Sequence, residues 1–312
     1  MAKMRVIYMG TPDFAVPCLD KLMAEGHDVA AVATQPDRPK GRGQRLAASP
    51  VKEAALGYGL PVLQPEKIKN AGFIADLAAL QPDVIVVVAF GQFLPQVLLE
   101  MPRFGCINVH ASLLPRYRGA APIHWAVING ETRTGITTMY MDSGMDTGDM
   151  IVKAELTIGP DETTGQLHDR LMLLGAETLS RTLALVAEGQ APRTPQDHPS
   201  ATYAPLLTRE TERIDWEKPA QAVHNLVRGL APWPGAFCYH GAKTLKIWSS
   251  EYLAGPSGHR PGEILEVGPA GPVVAAGTGA VRLREVQPEN RRRMEAGEYV
   301  RGYGLEVGET LR

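Results

Sequence analysis

Residues 6–33 run VIYMGTPDFAVPCLDKLMAEGHDVAAVA, and this stretch decides the fold. Val6-Ile7-Tyr8-Met9 is a continuous apolar run, Gly10-Thr11-Pro12 is a turn, Ala15 to Glu25 has helical character, and Val29-Ala30-Ala31-Val32-Ala33 is apolar again. Apolar strands that alternate with helices are buried on both faces, which makes this a βαβ unit of a parallel sheet. The rhythm continues with helices near Val51 to Gly57 and Ile74 to Leu80, and with the strand Val84-Ile85-Val86-Val87-Val88-Ala89. The expected fold is therefore α/β, a doubly wound, mostly parallel sheet. Its ligand crevice would lie beyond the strand ends, where Phe90-Gly91-Gln92-Phe93-Leu94-Pro95 follows.

Outward from that core, Gly165 to Gly189 reads as a long helix, with Leu167, Leu171, Leu174, Leu179, Leu183 and Val186 on one face and Gly189 as its stop. Pro192, Pro195, Pro199 and Pro205 then mark an extended linker. Beyond Arg209 come one helix, Ala220 to Arg228, and short runs at Ala236–Tyr239, Thr244–Trp248, Gly262–Val267, Val273–Ala276 and Ala280–Val286. Short strands broken by Gly and Pro predict a smaller β-rich, barrel-like domain of the OB type. The expected division is residues 1–189, a linker over 190–208, and a second domain over 209–312, consistent with roughly 100–200 residues per domain.

Composition excludes several classes. Of 312 residues, 44% are hydrophobic and 21% charged, the balance of a globular chain. A net charge of -2 rules out a generally basic nucleic-acid binder, so any RNA contact must be local. Cys18, Cys106 and Cys238 stand far apart and form neither a zinc motif nor a disulfide framework, which suits a reducing cytoplasm. No apolar run reaches the roughly 20 residues of a membrane span, and the N-terminus lacks the pattern of a secretion signal. Gly10-Thr11-Pro12 is not GxGxxG, which argues against a dinucleotide; Gly10 either makes a tight turn or lines the site.

The chemistry-bearing residues begin with Asn108-Val109-His110. On a strand, alternation sets Asn108 and His110 on one face, where an amide donor and an imidazole converge. Acyl transfer needs that pair, one to hold a developing oxyanion and one to move a proton near neutral pH. Taken alone such a pair is more often structural, but Ser112 to Ile123 (SLLPRYRGAAPI) is more specialised than a connection needs. The loop Met141 to Asp149 adds three acids. It fails as a calcium loop because Gly144 holds the third position and Lys153 stands where the closing Glu belongs, so no metal is expected. Asp146 is the carboxylate expected to orient His110.

Four strings carry a resemblance: Arg5 to Pro17 (RVIYMGTPDFAVP), Gln35 to Arg45 (QPDRPKGRGQR), Asn108 to Trp125 (NVHASLLPRYRGAAPIHW) and Met141 to Met150 (MDSGMDTGDM). With these the chain resembles, from end to end, the methionyl-tRNA formyltransferases, a branch of the formyltetrahydrofolate-dependent formyltransferase family. The third and fourth strings are shared across the wider family; the second narrows the likeness to the tRNA branch. The resemblance implies a Rossmann-like formyltransferase fold and a catalytic triad of Asn108, His110 and Asp146. It implies 10-formyltetrahydrofolate as donor, held mainly by main-chain groups over Ala89 to Leu94 and Thr138 to Asp142. The candidate contacts are Phe90, Gly91, Gln92, Leu94, Ser112, Leu113, Leu114, Pro115 and Asp142.

Initiator methionyl-tRNA is the implied acceptor and partner, for a cytoplasmic monomer. The loop with Arg38, Lys40, Arg42 and Arg45 is expected to enter the acceptor end, Arg42 foremost, although a run of charge is otherwise a solvated surface loop. Lys52 belongs to the same segment. Lys243, Lys246, Arg282, Arg284, Arg291, Arg292 and Arg293 could track phosphate in the second domain. Three alternatives remain at this point: a formyltetrahydrofolate hydrolase, a sugar-nucleotide N-formyltransferase, and a folate- or RNA-binding module without catalysis.

Overall fold

A computed structural model describes residues 3–40, 45–255 and 258–312, with only the backbone of Lys40 and Arg45. The chain divides into two compact units. The first comprises 1–119, 134–157 and 168–203; the second comprises 120–133, 158–167 and 204–312.

In the first unit, β1 (Arg5–Gly10), α1 (Val16–Ala24), β2 (Asp28–Ala33), the ribbon strands β3 (Arg38–Lys40) and β4 (Arg45–Ala47), α2 (Pro50–Gly57), β5 (Val62–Leu63), α3 (Ala71–Ala79), β6 (Val84–Val88), α4 (Gln96–Leu99) and β7 (Cys106–His110) follow in order. The seven-stranded sheet adds β8 (Arg133–Tyr140) and β9 (Met150–Thr157) and runs β5-β2-β1-β6-β7-β8-β9; α5 (Pro122–Ile128), between β7 and β8 along the chain, belongs to the second unit. β1 pairs in parallel with β2 on one side and β6 on the other, Val6 to Val84 and Tyr8 to Val86, so the order reverses between β1 and β6. β7 is parallel to β6, but β8 runs antiparallel to β7, which makes the sheet mixed at that side.

β6 is buried throughout because five consecutive β-branched residues face helices on both sides of the sheet. Ile7, Met9, Ile85, Val87 and Cys106 join Phe73, Leu77 and Leu98 in one cluster. Gly10 ends β1 where a Cβ would lie 2.8 Å from Ala15 Cβ and 3.1 Å from Val88 O, so its role is close packing of the turn. The long helix α6 (Thr164–Ala187) buries Leu167, Leu171, Leu179, Leu183 and Val186, and Gly189 ends it at φ 69 with its N–H on Val186 O.

The second unit adds α7 (Arg209–Glu212), α8 (Ala220–Gly229), β10 (Ala236–His240), β11 (Lys243–Leu253), β12 (Ile264–Glu266), β13 (Val273–Ala275), β14 (Ala280–Pro288), β15 (Met294–Glu295) and α9 (Ala296–Tyr303). Its strands form an antiparallel sheet in the order β10-β11-β14-β13-β12, with β15 on β14. Val223 and Val227 on α8 pack with Ile247, Val281, Leu283 and Tyr299. The two edge strands are joined by the segment 308–312. Gly308, Glu309 and Leu311 exchange backbone hydrogen bonds with Gly262 and Ile264, while Arg312 and Tyr239 bond each other in both directions. That segment turns an open sheet into a barrel-like ring, with Leu311 buried in its core.

Candidate active site

Three elements of the first unit build the site: β7, the loop 111–119 after it, and the loop 141–149 between β8 and β9. Strand alternation turns Val109 to one face, where a Cβ built on Gly175 of α6 would lie 3.4 Å from Val109 Cγ1. Asn108 and His110 occupy the opposite face. His110 is buried, and its Nε2 is 2.9 Å from Tyr117 O. A carbonyl oxygen only accepts, so Nε2 carries the hydrogen and Nδ1 faces the Asp146 carboxylate, 3.7 Å from Oδ2. Asn108 Nδ2 is 3.4 Å from Asp146 Oδ1, and the Gly119 N–H donates to Oδ2 at 2.8 Å. One carboxylate thus meets an amide, an imidazole and a backbone N–H.

The loop that delivers Asp146 is under tight constraint. Asp146 has φ 53, a left-handed conformation that a non-glycine residue adopts only when its surroundings enforce it. A Cβ on Gly148 would fall 1.8 Å from Tyr140 O, so only glycine closes the loop there. Asp142 Oδ1 accepts from Gly144 N–H at 2.9 Å and from Thr147 Oγ1 at 2.6 Å, which makes Asp142 a brace of its own loop. Among the described residues, no group of three or more His, Cys, Asp and Glu side chains is placed to hold a metal ion.

The residue that sequence reading missed is Gln196. Its Nε2 donates to Asp146 O and Gly148 O, each at 2.8 Å, and its Oε1 accepts from Arg118 Nε at 3.1 Å and Nη2 at 2.6 Å. Arg118, 2% exposed, also reaches His198 Nδ1 at 3.2 Å, and Tyr117 N–H and Arg118 N–H donate to Thr202. Residues 196–202, read from their prolines as a linker, are strapped against the loop that carries the site. Only glutamine's amide, which donates and accepts at one tip, hinted at such a bridge, and no spacing singled it out.

The candidate folate contacts separate by burial. Phe90 and Leu94 pack into the sheet cluster, and Phe90 O accepts from Thr11 Oγ1 and Gln35 Nε2. Gln92 is occupied by Ile68 N–H and Pro65 O. Ser112 is fully buried and donates to Arg116 O, and Leu114 sits with Met139 and Met150. Leu113 and Pro115 are half-buried, and Asp142 is exposed. At Ala89 and Gly91 the backbone is left-handed, φ 46 and 86, and the neighbouring Phe93 is 63% exposed. What this strand end offers a ligand is main chain and one aromatic ring.

Of the expected RNA loop, Arg38 to Lys40 and Arg45 to Ala47 form an antiparallel ribbon, Arg38 opposite Ala47. Arg42, with Gly41 and Gly43, lies outside the described residues, as do the side chains of Lys40 and Arg45. Lys52 pairs with Asp37 at 2.7 Å and bonds Gln64 Oε1 at 2.8 Å, so it anchors the base of the ribbon instead of extending the charged surface. Covalent catalysis by cysteine has no support here. Burial pushes the thiols of Cys18, Cys106 and Cys238 up to about 12, leaving no thiolate near neutral pH.

Comparison with known proteins follows the same lines. Residues 2–183 match the formyl transferase family and residues 206–304 match the formyl transferase C-terminal domain. A methionyl-tRNA formyltransferase of Geobacter metallireducens is 54% identical over 311 residues, covering 100% of this chain and 99% of that one. The chain belongs to the methionyl-tRNA formyltransferases. A member of that family from Clostridioides difficile is 49% identical, over 99% of this chain and 100% of its own. Among solved structures, WlaRD, a sugar 3N-formyl transferase, superposes with a TM-score of 0.69 at 17% identity, covering 94% of this chain and 100% of its own. HypX from Aquifex aeolicus in complex with tetrahydrofolic acid gives 0.67 at 16%, over 99% of this chain and 49% of that chain. These two likenesses speak for the fold, while family membership rests on the full-length relatives. Like them, this chain is a formyl transferase, and no helix among its described residues is long and apolar enough to cross a membrane.

Proposed function

We propose that this chain moves the formyl group of 10-formyltetrahydrofolate to the α-amine of initiator methionyl-tRNA, using Asn108, His110 and Asp146. The observation that carries the reading is the convergence of those three side chains on one face of β7. The donor supplies an activated formyl carbon. Phe93 and the left-handed backbone at Ala89 and Gly91 suit a flat ring system with hydrogen-bonding edges.

Asn108 has two amide hydrogens; one is turned to Asp146, and the other is available to the formyl oxygen as negative charge develops on it. His110 is held by Tyr117 O at Nε2, so Nδ1 is the atom that takes a proton from the attacking amine and returns it to the departing folate nitrogen. Asp146, fixed by Gly119 N–H, sits beside the charged imidazole and favours it while it lasts. Residues 1–189 carry this chemistry in our reading. Arg38, Lys40, Arg42 and Arg45 of the basic segment, Arg42 foremost, and residues 209–312 hold the RNA of a monomeric, cytoplasmic enzyme.

The test is transfer of labelled formyl from 10-formyltetrahydrofolate to methionyl-tRNA beside free methionine, an amino-sugar nucleotide and no acceptor. Product on initiator methionyl-tRNA alone supports the proposal; label on the sugar, or formate without acceptor, reassigns the acceptor. Loss of an oxyanion donor costs about 10²–10³ in kcat, so Asn108→Ala should be slowed by that order. Normal turnover by Asn108→Ala or His110→Ala would refute the assigned roles.

A further inference from the structure

Four of the basic residues expected to track phosphate in the second unit divide into two sorts. Arg282 Nη1 lies 3.2 Å from Glu266 and Arg284 is hydrogen-bonded to Glu251, so both are neutralised within the chain. Lys246 and Arg293 instead lie over the ring of Trp248, Nζ at 5.3 Å and Cζ at 3.5 Å from its centroid. Each also donates to the backbone of one short loop: Lys246 Nζ to Pro234 O at 2.7 Å, and Arg293 Nη2 to Pro232 O at 3.4 Å. The residue between those two carbonyls is Trp233, and it is 70% exposed.

Trp233 is not exposed for want of a place to pack. Prolines on both sides fix their own φ, and two cations clasp the carbonyls that flank it. Gly235 follows at φ 90, where a Cβ would lie 2.5 Å from the Trp248 ring, so the loop is pressed onto Trp248. The backbone that carries this indole is thus fixed on both sides, and an exposed aromatic ring gains by being covered. Its surroundings are basic. Lys243, Arg291, Arg292 and Arg293 are exposed, and a cavity of about 360 Å³ is lined by Arg209, Thr244, Lys246, Gln287 and the turn 288–290. Within that lining Arg209 is paired with Glu212 at 2.9 Å, and Glu289 accepts from Thr244 N–H, which leaves Lys246 and the exposed cations as the basic groups beside Trp233.

We propose that Trp233 is a stacking platform for an unpaired base of the RNA substrate, with Lys246 and Arg293 turning their remaining N–H donors to the adjoining phosphates. A flat, rigid aromatic face among cations is the surface single-stranded RNA recognises, because every base has a π-face and every nucleotide a negative charge. This rests on RNA being the acceptor, and it names which part of the second unit meets it.

The experiment compares wild type, Trp233→Ala and Trp233→Phe for KM toward methionyl-tRNA, KM toward 10-formyltetrahydrofolate, and urea unfolding midpoint. One stacked base lost raises the KM for methionyl-tRNA in Trp233→Ala by about tenfold, within the range for base–aromatic stacking. Trp233→Phe should keep most of the affinity, and the donor KM and midpoint should not move. An unchanged KM for methionyl-tRNA in Trp233→Ala, or equal weakening toward both substrates, overturns the platform while formyl transfer by the wild type stands. Failure of the wild type to use methionyl-tRNA would overturn the acceptor reading and the platform together.

Discussion

Replacing Gln196 by leucine removes the one amide that joins Arg118 to the loop holding Asp146. Two guanidinium N–H groups lose their acceptor, and Asp146 O and Gly148 O lose their donor, at a site where Gln196 is 5% exposed and Arg118 2%. A hydrogen bond to a charged group contributes about 1.5–3 kcal/mol and a neutral one about 1 kcal/mol. Arg118 keeps His198 Nδ1, and the leucine buries apolar surface, so the net cost is about 3 kcal/mol. Catalysis suffers separately. Asp146 is held in its left-handed conformation from the carboxylate side by Gly119 and from the carbonyl side by Gln196, and freeing one side lets it drift. Misplacement by about 1 Å costs on the order of 10²-fold in rate, so kcat should fall toward that value while both KM values stay close to wild type. Gln196→Glu separates the two effects: it retains an acceptor for Arg118 but sets a carboxylate against two carbonyls, so it should lose kcat with less loss of stability. Urea unfolding and single-turnover formylation measure both. Wild-type stability and kcat in Gln196→Leu would refute the bridge.

Two further outcomes follow from the same structure. Gly148→Ala must displace Tyr140 O, because its Cβ would lie 1.8 Å away; formylation should be lost while the far-UV circular dichroism of the sheet persists, and an active Gly148→Ala would contradict the loop geometry. His27 in the first unit and His224 in the second are buried, and burial lowers both below the ordinary 6.5, with the Arg228 charge adding to it at His224. The folded state therefore keeps them neutral while the unfolded chain takes up protons, so stability is full above pH 6.5 and falls as pH drops from there toward the folded pKa. The slope is at most about 1.4 kcal/mol per pH unit for each. Since His27 Nδ1 accepts from Met4 N–H, His27→Asn keeps an acceptor; it should reduce the slope of unfolding midpoint against pH, and an unaltered slope would exclude His27 as a contributor.

The parts legible in the sequence were those specified by local pattern. The runs at 6–9 and 84–88 could only be buried strands, and period-2 alternation placed Asn108 and His110 on one face. Asp146 was preferred among the three acids of its loop and then supported by family likeness, with no spacing to single it out, since a loop's return path depends on Gly119, Gly148 and Gln196, which lie far apart in the chain. Proline content labelled 196–202 as a linker, but proline constrains φ without saying what the chain lies against. The β3–β4 ribbon escaped notice because three-residue strands with proline and charge carry little apolar signal. Burial of Ser112 and Leu114, in a segment proposed to meet folate, is likewise set by distant contacts, Leu114 lying against Met139 and Met150.

Pairing of residues 308–312 with both β10 and β12 also sets an order in time. These residues follow every other strand of the second unit along the chain, so they leave the ribosome after the sheet they close. Until they arrive, β12 has an unpaired outer edge and β10 one covered only where Ile214 N–H donates to Phe237 O, and such edges recruit other chains into intermolecular sheets. Closure by the segment 308–312 is thus the event that covers the outer edge of β12 and completes that of β10, and the barrel-like ring exists only once it has been made.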